Sequence, residues 1–167
     1  FNLTATVSKD AESAYIIGNL LYNLLAGNVY LGDAGSYFLS FLISTLSLYL
    51  YNLNVCSAGF LASCLSYICL EIVYTITRRV LNKQKIYRPD NKHLHNLIFN
   101  YFNKKFKFKY NNSLTGITLL IIFSYPSIIL FLIIKDGNSY QYWYLFILQL
   151  FVYLIMYKFI ETNEELK

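Results

Sequence analysis

The stretch that decides the fold runs from Ala34 to Leu70, AGSYFLSFLISTLSLYLYNLNVCSAGFLASCLSYICL, 37 residues between Asp33 and Glu71 without an Asp, Glu, Lys or Arg. A helix needs about 20 apolar residues to cross the hydrocarbon of a bilayer, so this run is too long for one crossing. It fits two crossings joined by a tight turn. The turn belongs where polar and small residues gather, from Asn52–Leu53–Asn54 through Ser57–Ala58–Gly59.

Other uncharged runs extend the pattern: 20 residues between Glu12 and Asp33, 25 between Lys109 and Lys135, and 21 between Asp136 and Lys158. Together they predict five spans, near 13–31, 36–53, 57–77, 114–134 and 140–160. The first carries Asn19, Asn23 and Asn28, and Pro126 within the fourth predicts a kink there. Backbone polar groups cannot stay open in lipid, and the runs do not alternate as barrel strands do. The expected fold is therefore all-α, a polytopic integral membrane protein with about five transmembrane helices, residues 1–167 forming a single membrane domain.

Composition agrees. Hydrophobic residues make up 56% and charged residues 14% of the 167-residue chain, against about 45–50% and about 25% in soluble proteins. This excludes a soluble globular enzyme, a disordered tail and a disulfide-stapled module. The three cysteines, Cys56, Cys64 and Cys69, have no zinc spacing and read as apolar packing. No basic segment leads into a short apolar core at the start, so a signal peptide is not supported. An opening Phe1 in place of Met suggests a fragment or a processed chain.

Ten of the 14 Lys and Arg lie between Arg78 and Lys109. The positive-inside tendency puts this 78–113 loop in the cytoplasm. Counting spans outward from it, the turn around Asp33 and the C-terminal tail share that face. The patch is short and lies against a membrane, so no nucleic-acid partner is expected.

Two constellations on this face carry chemistry. In Tyr30–Leu31–Gly32–Asp33–Ala34–Gly35–Ser36, glycines flank a carboxylate at the start of an apolar span. Such a carboxylate can cap a helix, or can supply one of the few oxygens a magnesium ion takes from protein. The second runs Arg78–Arg79 and then Arg88–Pro89–Asp90–Asn91–Lys92–His93–Leu94–His95–Asn96, with the only two histidines of the chain. Residues two apart on a helix point in different directions, but Pro89 and Asn91 favour a loop or turn in which both imidazoles converge. Basic residues around paired imidazoles suit a diphosphate. The basic run also serves topology, or anionic headgroups. A zinc site on the histidines and Asp90 lacks a soft fourth ligand.

These residues resemble a known family. Asn28 to Ser36 is similar to the "F-M/L-G-D-A/T-G-S" motif of the polyprenyl-phosphate N-acetylhexosamine-1-phosphate transferases (WecA/MraY-like, glycosyl transferase family four). Leu20–Leu21–Tyr22–Asn23 resembles its "F-x-x-F/Y-N" segment, and Arg78–Arg79 with Arg88 to His95 resembles its "R-R…S/R-P-D-x-x-H-x-H-H" loop. The resemblance covers residues 13–135. It implies transfer of a sugar 1-phosphate from a UDP-sugar, commonly a UDP-N-acetylhexosamine, to a polyprenyl phosphate such as undecaprenyl phosphate. UMP is released, and the step initiates lipid-linked glycan synthesis for cell envelope polysaccharide. Magnesium is implied, with manganese a substitute, and the setting is the bacterial cytoplasmic (inner) membrane. Asp33 would be the metal ligand or catalytic carboxylate. His93 and His95 would contact the nucleotide diphosphate, with Arg88 and Asp90 shaping the loop and Asn23 near the nucleotide or metal. Direct attack and an aspartyl intermediate both remain open, as does a homodimer.

The chain also departs from the family pattern. A "D-D" pair and an "N-x-x-D-G-x-D-G" motif are absent from these residues, Leu24 and Leu25 replace prolines, and Asn96 replaces a third histidine. Glu71 stands where relatives usually have Asp. The resemblance therefore reads the chain as the C-terminal part of such an enzyme, inactive alone. The alternative is a non-catalytic membrane protein, a transporter subunit or a degenerate remnant that binds lipid phosphate.

Overall fold

A computed structural model describes residues 32–85, 90–106, 110–134 and 139–165. The described residues form helices without strands: α1 (Gly32–Asn52), α2 (Ala58–Cys64), α3 (Ser66–Leu81), α4 (Leu94–Lys105), α5 (Asn111–Leu119), α6 (Tyr125–Ile134) and α7 (Ser139–Glu165). A π-turn at Leu120–Ser124 joins α5 to α6. The expected all-α polytopic architecture is what these elements make. Three are long and apolar enough to cross a membrane: Asp33–Asn52, Asn111–Ile134 and Tyr140–Asn163. The expected span at 13–31 lies outside the described residues.

The predicted turn after residue 52 is present. α1 ends at Asn52, and its end closes by Val55 N–H donating to the Leu50 carbonyl and Asn54 N–H to that of Tyr51, both at 3.0 Å. Asn54 takes the left-handed position of this motif at φ 55°, where Asn is one of the few side chains that sit at low cost. Ser57 then caps α2, its hydroxyl accepting the Phe60 N–H at 3.2 Å.

The span expected at 57–77 falls on two helices, α2 and α3, which together are long and apolar enough to cross a membrane. α2 and α3 meet at a 70° bend, with Leu65 outside helical geometry at φ −96°, ψ 13°. Breaking a helix frees carbonyls, which lipid cannot satisfy. Here the Ser124 hydroxyl, from the π-turn, donates to the Cys64 carbonyl at 3.0 Å. Gly59 and Ser63 are buried on α2, small residues that let α7 approach closely.

Where a kink is expected at Pro126, the helix carries the π-turn at Leu120–Ser124 just before the proline, and Asn111–Ile134 remains one span. Proline cannot donate to the preceding turn. Gln149 of α7 takes up one of the loosened carbonyls, donating Nε2–H to Phe123 O at 2.6 Å. Three hydroxyls of α1 are satisfied within the helix, Ser40, Ser44 and Thr45 each donating to the carbonyl four residues back at 2.8 Å.

Burial follows membrane logic. Many Leu, Ile, Phe and Tyr side chains on α1, α6 and α7 face outward, while Ser63, Ser66, Thr115, Ser127 and Gln149 are buried. The apolar core gathers Leu70 of α3, Leu94, Leu97 and Ile98 of α4, Leu119, Phe123, and Tyr153, Tyr157 and Ile160 of α7. The segment expected as a basic loop thus contains a helix. α4 places Leu94, Leu97, Ile98, Tyr101 and Phe102 at helical spacing on the core. Lys104 and Lys105 occupy its last turn. The three cysteines are free.

Candidate active site

Glu71 is the junction of the site. It sits in the first half of α3, 9% exposed, and three elements converge on its carboxylate. From the turn before α4, His93 donates its Nδ1–H to Oε1 at 2.9 Å. From α4, the Leu94 N–H lies 3.3 Å from Oε1 and 3.2 Å from Oε2. From α7, the Tyr153 hydroxyl donates to Oε2 at 3.1 Å. Thr75, one turn along α3, donates to Oε1 at 3.4 Å.

The local reason is an unfilled cap. His93 is the N-cap of α4, with extended backbone at φ −75°, ψ 145°, and its side chain makes no capping bond. The first N–H groups of a helix lack internal partners and carry partial positive charge. Glu71 supplies the missing acceptor from a different helix. A buried carboxylate is costly unless it is fully hydrogen-bonded, and these donors meet that need.

The convergence of His93 and His95 is present. Because His93 is extended and His95 lies in the first helical turn, the two rings escape the divergence of helical neighbours. Their centroids are 5.6 Å apart and the planes 9° from parallel. His95 Nδ1 lies 3.3 Å from the Tyr67 hydroxyl of α3. Partial burial holds the His95 imidazolium below its ordinary range; the Glu71 charge opposes this and His93 adds to it. With its Nδ1–H committed to Glu71, the half-buried ring of His93 has Nε2 on the side away from the carboxylate.

Asp90 organises the start of this turn. One carboxylate oxygen accepts the Lys92 N–H at 2.9 Å. The other accepts from Arg78 and, at 3.4 Å, from Arg79 Nε. Burial by itself would raise the Asp90 carboxyl; the Lys92 N–H and the two guanidinium groups outweigh it and hold the group below the usual carboxylate range. On the opposite side, Tyr157 of α7 donates to the Lys92 carbonyl at 3.0 Å. The turn is therefore fixed by both α3 and α7.

Beyond Asp90 opens a cleft of about 520 Å³ lined by Arg78, Arg79, Lys83, Gln84, Lys85, Asp90 and Lys92. Five cations face one carboxylate. Neither histidine lines it.

The structure brings His93 and His95 together and places Asp90 at the start of the same turn, on Arg78, Arg79 and the Lys92 N–H. Asp33 lies in the first turn of α1 and is exposed. No hydrogen bond or ion pair among the described residues joins it to the histidines. Asn23 and Arg88 lie outside the described residues. Among the described residues no group of three or more His, Cys, Asp and Glu stands ready to hold a metal. Magnesium commonly takes one or two carboxylates, with water and substrate phosphates completing its shell. An exposed Asp33 carboxylate fits as one such ligand and not as a whole site.

Sequence reading left Glu71 outside the site. Its one available signal was a carboxylate within an apolar span, a position where an ionisable group marks function by default. Tyr153, Tyr67 and Tyr157 carry no signal among 17 tyrosines.

Comparison with curated proteins finds relatives of one kind. The chain is 29% identical over 143 residues to the undecaprenyl-phosphate alpha-N-acetylglucosaminyl 1-phosphate transferase of Thermotoga maritima, a match covering 85% of this chain and 43% of the relative. It is 38% identical over 84 residues to a probable undecaprenyl-phosphate N-acetylglucosaminyl 1-phosphate transferase of Bacillus subtilis, covering 49% of this chain and 24% of the relative. The chain thus spans less than half the length of the curated relatives it matches. They are transferases of the kind its motifs resemble. No family model matches, and no solved structure matches.

Proposed function

We propose that this chain contributes the C-terminal part of a membrane transferase that moves a sugar 1-phosphate from a UDP-sugar to a polyprenyl phosphate. UDP-N-acetylhexosamine is the donor and undecaprenyl phosphate the acceptor favoured by the names of both relatives. The observation that carries the reading is the paired, stacked imidazoles of His93 and His95, the first held by Glu71 and the second beside the Tyr67 hydroxyl.

Phosphoryl transfer depends on positioning and on neutralising charge. In this reading the outer edges of His93 and His95 bind oxygens of the donor diphosphate. Glu71 keeps the proton of His93 on Nδ1, so the ring presents the same nitrogen to each substrate. Asp90, bound by Arg78 and Arg79, holds the turn in shape, with Arg88 and Asn23 contributing to the same donor site. Asp33 would hold magnesium, or manganese in its place; when bound, the ion neutralises charge on the diphosphate. The acceptor phosphate oxygen bonds to the sugar-linked phosphorus, the bond to the UMP phosphate oxygen breaks, and UMP leaves. Because nucleotide sugars are cytoplasmic, the turn faces the cytoplasm, in the cytoplasmic membrane of a bacterium.

The test uses the full-length polypeptide in membranes, supplied with labelled UDP-N-acetylglucosamine and magnesium. Label is followed into lipid for wild type and for Asp33→Asn. We expect incorporation in the wild type and its loss in the variant. Equal incorporation by the two removes Asp33 from the mechanism, and no incorporation by either overturns the reading.

A further inference from the structure

Two helix ends among the described residues close with the same bonds, and what fills their left-handed position differs. At the end of α3, Gln84 N–H donates to the Arg79 carbonyl at 2.9 Å and Lys83 N–H to that of Val80 at 3.1 Å. This repeats the bonds that close α1. The left-handed residue is Asn54 in the first case and Lys83, at φ 53°, in the second. Glycine is the usual occupant and Asn the usual substitute. A lysine there is disfavoured by its Cβ. Backbone held in a disfavoured region points to a functional demand on that side chain.

What Lys83 gains is its place. It lines the basic cleft with Arg78, Arg79, Lys85 and Lys92. The cleft lies at the end of the bent α2–α3 pair, which is long and apolar enough to span a membrane, so it opens where a span meets the headgroup layer. Among the described residues of the lining the one carboxylate, Asp90, is committed to Arg78, Arg79 and the Lys92 N–H. This leaves the cleft cationic and keeps its two arginines in place. Basic pockets at this depth match phosphate groups by charge, and arginine matches them in geometry as well. Neither histidine lines the cleft, which shares Asp90 and Lys92 with the turn that carries them; lipid retention is read without the transfer reaction, so its failure and the failure of the proposed function are distinguishable.

We propose that this cleft is a phosphate-binding site at the membrane surface, which takes the headgroup of an anionic phospholipid and uses Lys83 and Lys85 to select it. The same chemistry would hold a soluble phosphate, so the test has an arm for each.

The detergent-purified full chain is analysed by native mass spectrometry with added phosphatidylglycerol, phosphatidylcholine or inorganic phosphate. Wild type is compared with Lys83→Gly, Lys85→Gln and the double variant. We expect phosphatidylglycerol to be retained over phosphatidylcholine, and each substitution to lower that retention by about fivefold. Lys83→Gly suits the left-handed position and should melt no lower than wild type; Lys85→Gln leaves that backbone untouched. Lysine-dependent retention of the lipid assigns a headgroup. Lysine-dependent binding of inorganic phosphate alone assigns a soluble anion. The proposal is overturned if the variants retain both ligands as wild type does, or if the two lipids are held equally.

Discussion

His93 and Glu71 are 22 positions apart in sequence and joined at 2.9 Å, Nδ1–H to Oε1. The same carboxylate accepts the first N–H of α4 and the hydroxyl of Tyr153. One side chain therefore starts a helix, orients an imidazole and anchors the last span.

Replacing Glu71 should expose all three functions. Glu71→Ala leaves the Leu94 N–H and the Tyr153 hydroxyl without an acceptor, and each buried group left unpaired costs about 1–3 kcal/mol. Thermal unfolding should register this loss. Glu71→Gln keeps the volume but turns one acceptor into a donor. Nitrogen NMR of labelled histidine should then show His93 losing its fixed Nδ1–H tautomer. In the proposed transfer assay, label incorporation by the full-length polypeptide should fall about 10–100-fold, the scale seen where a carboxylate orients a functional histidine. An unchanged His93 spectrum would refute the coupling whatever the activity shows.

Tyr153→Phe removes one donor to Glu71 and keeps the ring that packs between Tyr74 and Phe123. The expected loss is about 1.5–3 kcal/mol, as for a hydrogen bond to a charged group. Combined with Glu71→Gln, the losses should not add, because the two residues share one bond.

Protonation of His95 gives a pH signature. Its folded-state pKa lies below the ordinary 6.5, so the unfolded chain takes up the proton first. The stability contributed by the neutral ring is present above that value and falls as pH drops below it. Melting temperature should therefore decline from about pH 7.5 to about pH 5.5, and His95→Gln should flatten the decline.

The 70° bend between α2 and α3 determines which face each motif occupies. If the bent pair crosses the bilayer, Ala34 and Lys83 share one side and Asn54 lies on the other. In a cysteine-free background, single cysteines at these positions should react with an impermeant thiol reagent in that pattern. Labelling of Asn54 and Lys83 from the same side would show the pair re-entering, and would separate Asp33 from the histidines.

Much of the architecture was legible because charge is absent from long runs. The turn after Asn52 and the spans on both sides of the basic segment follow from the insolubility of charge in lipid. The meeting of His93 with His95 followed from Pro89 and Asn91 disfavouring a helix across both. The bend at Leu65 was not legible, since neither proline nor glycine marks it and the Cys64 carbonyl beside it is satisfied by Ser124, 60 positions away. α4 was concealed by the charge around it, although Leu94, Leu97, Ile98, Tyr101 and Phe102 already had helical spacing. Glu71 was noticed only as a substitution of Asp. Its meaning depends on Tyr153, 82 positions away, and no local pattern contains that distance.

The hydroxyl of Tyr157 on the Lys92 carbonyl bears on speed as well as shape. A loop tethered only at its ends flickers on the nanosecond scale, whereas packed helices shift over microseconds to milliseconds. The His93 turn is tied to a span of 27 residues, so it cannot open without disturbing that span. Admission and release at the histidines would then keep the slow clock of a membrane helix, and the thickness and stiffness of the surrounding bilayer would help set its rate.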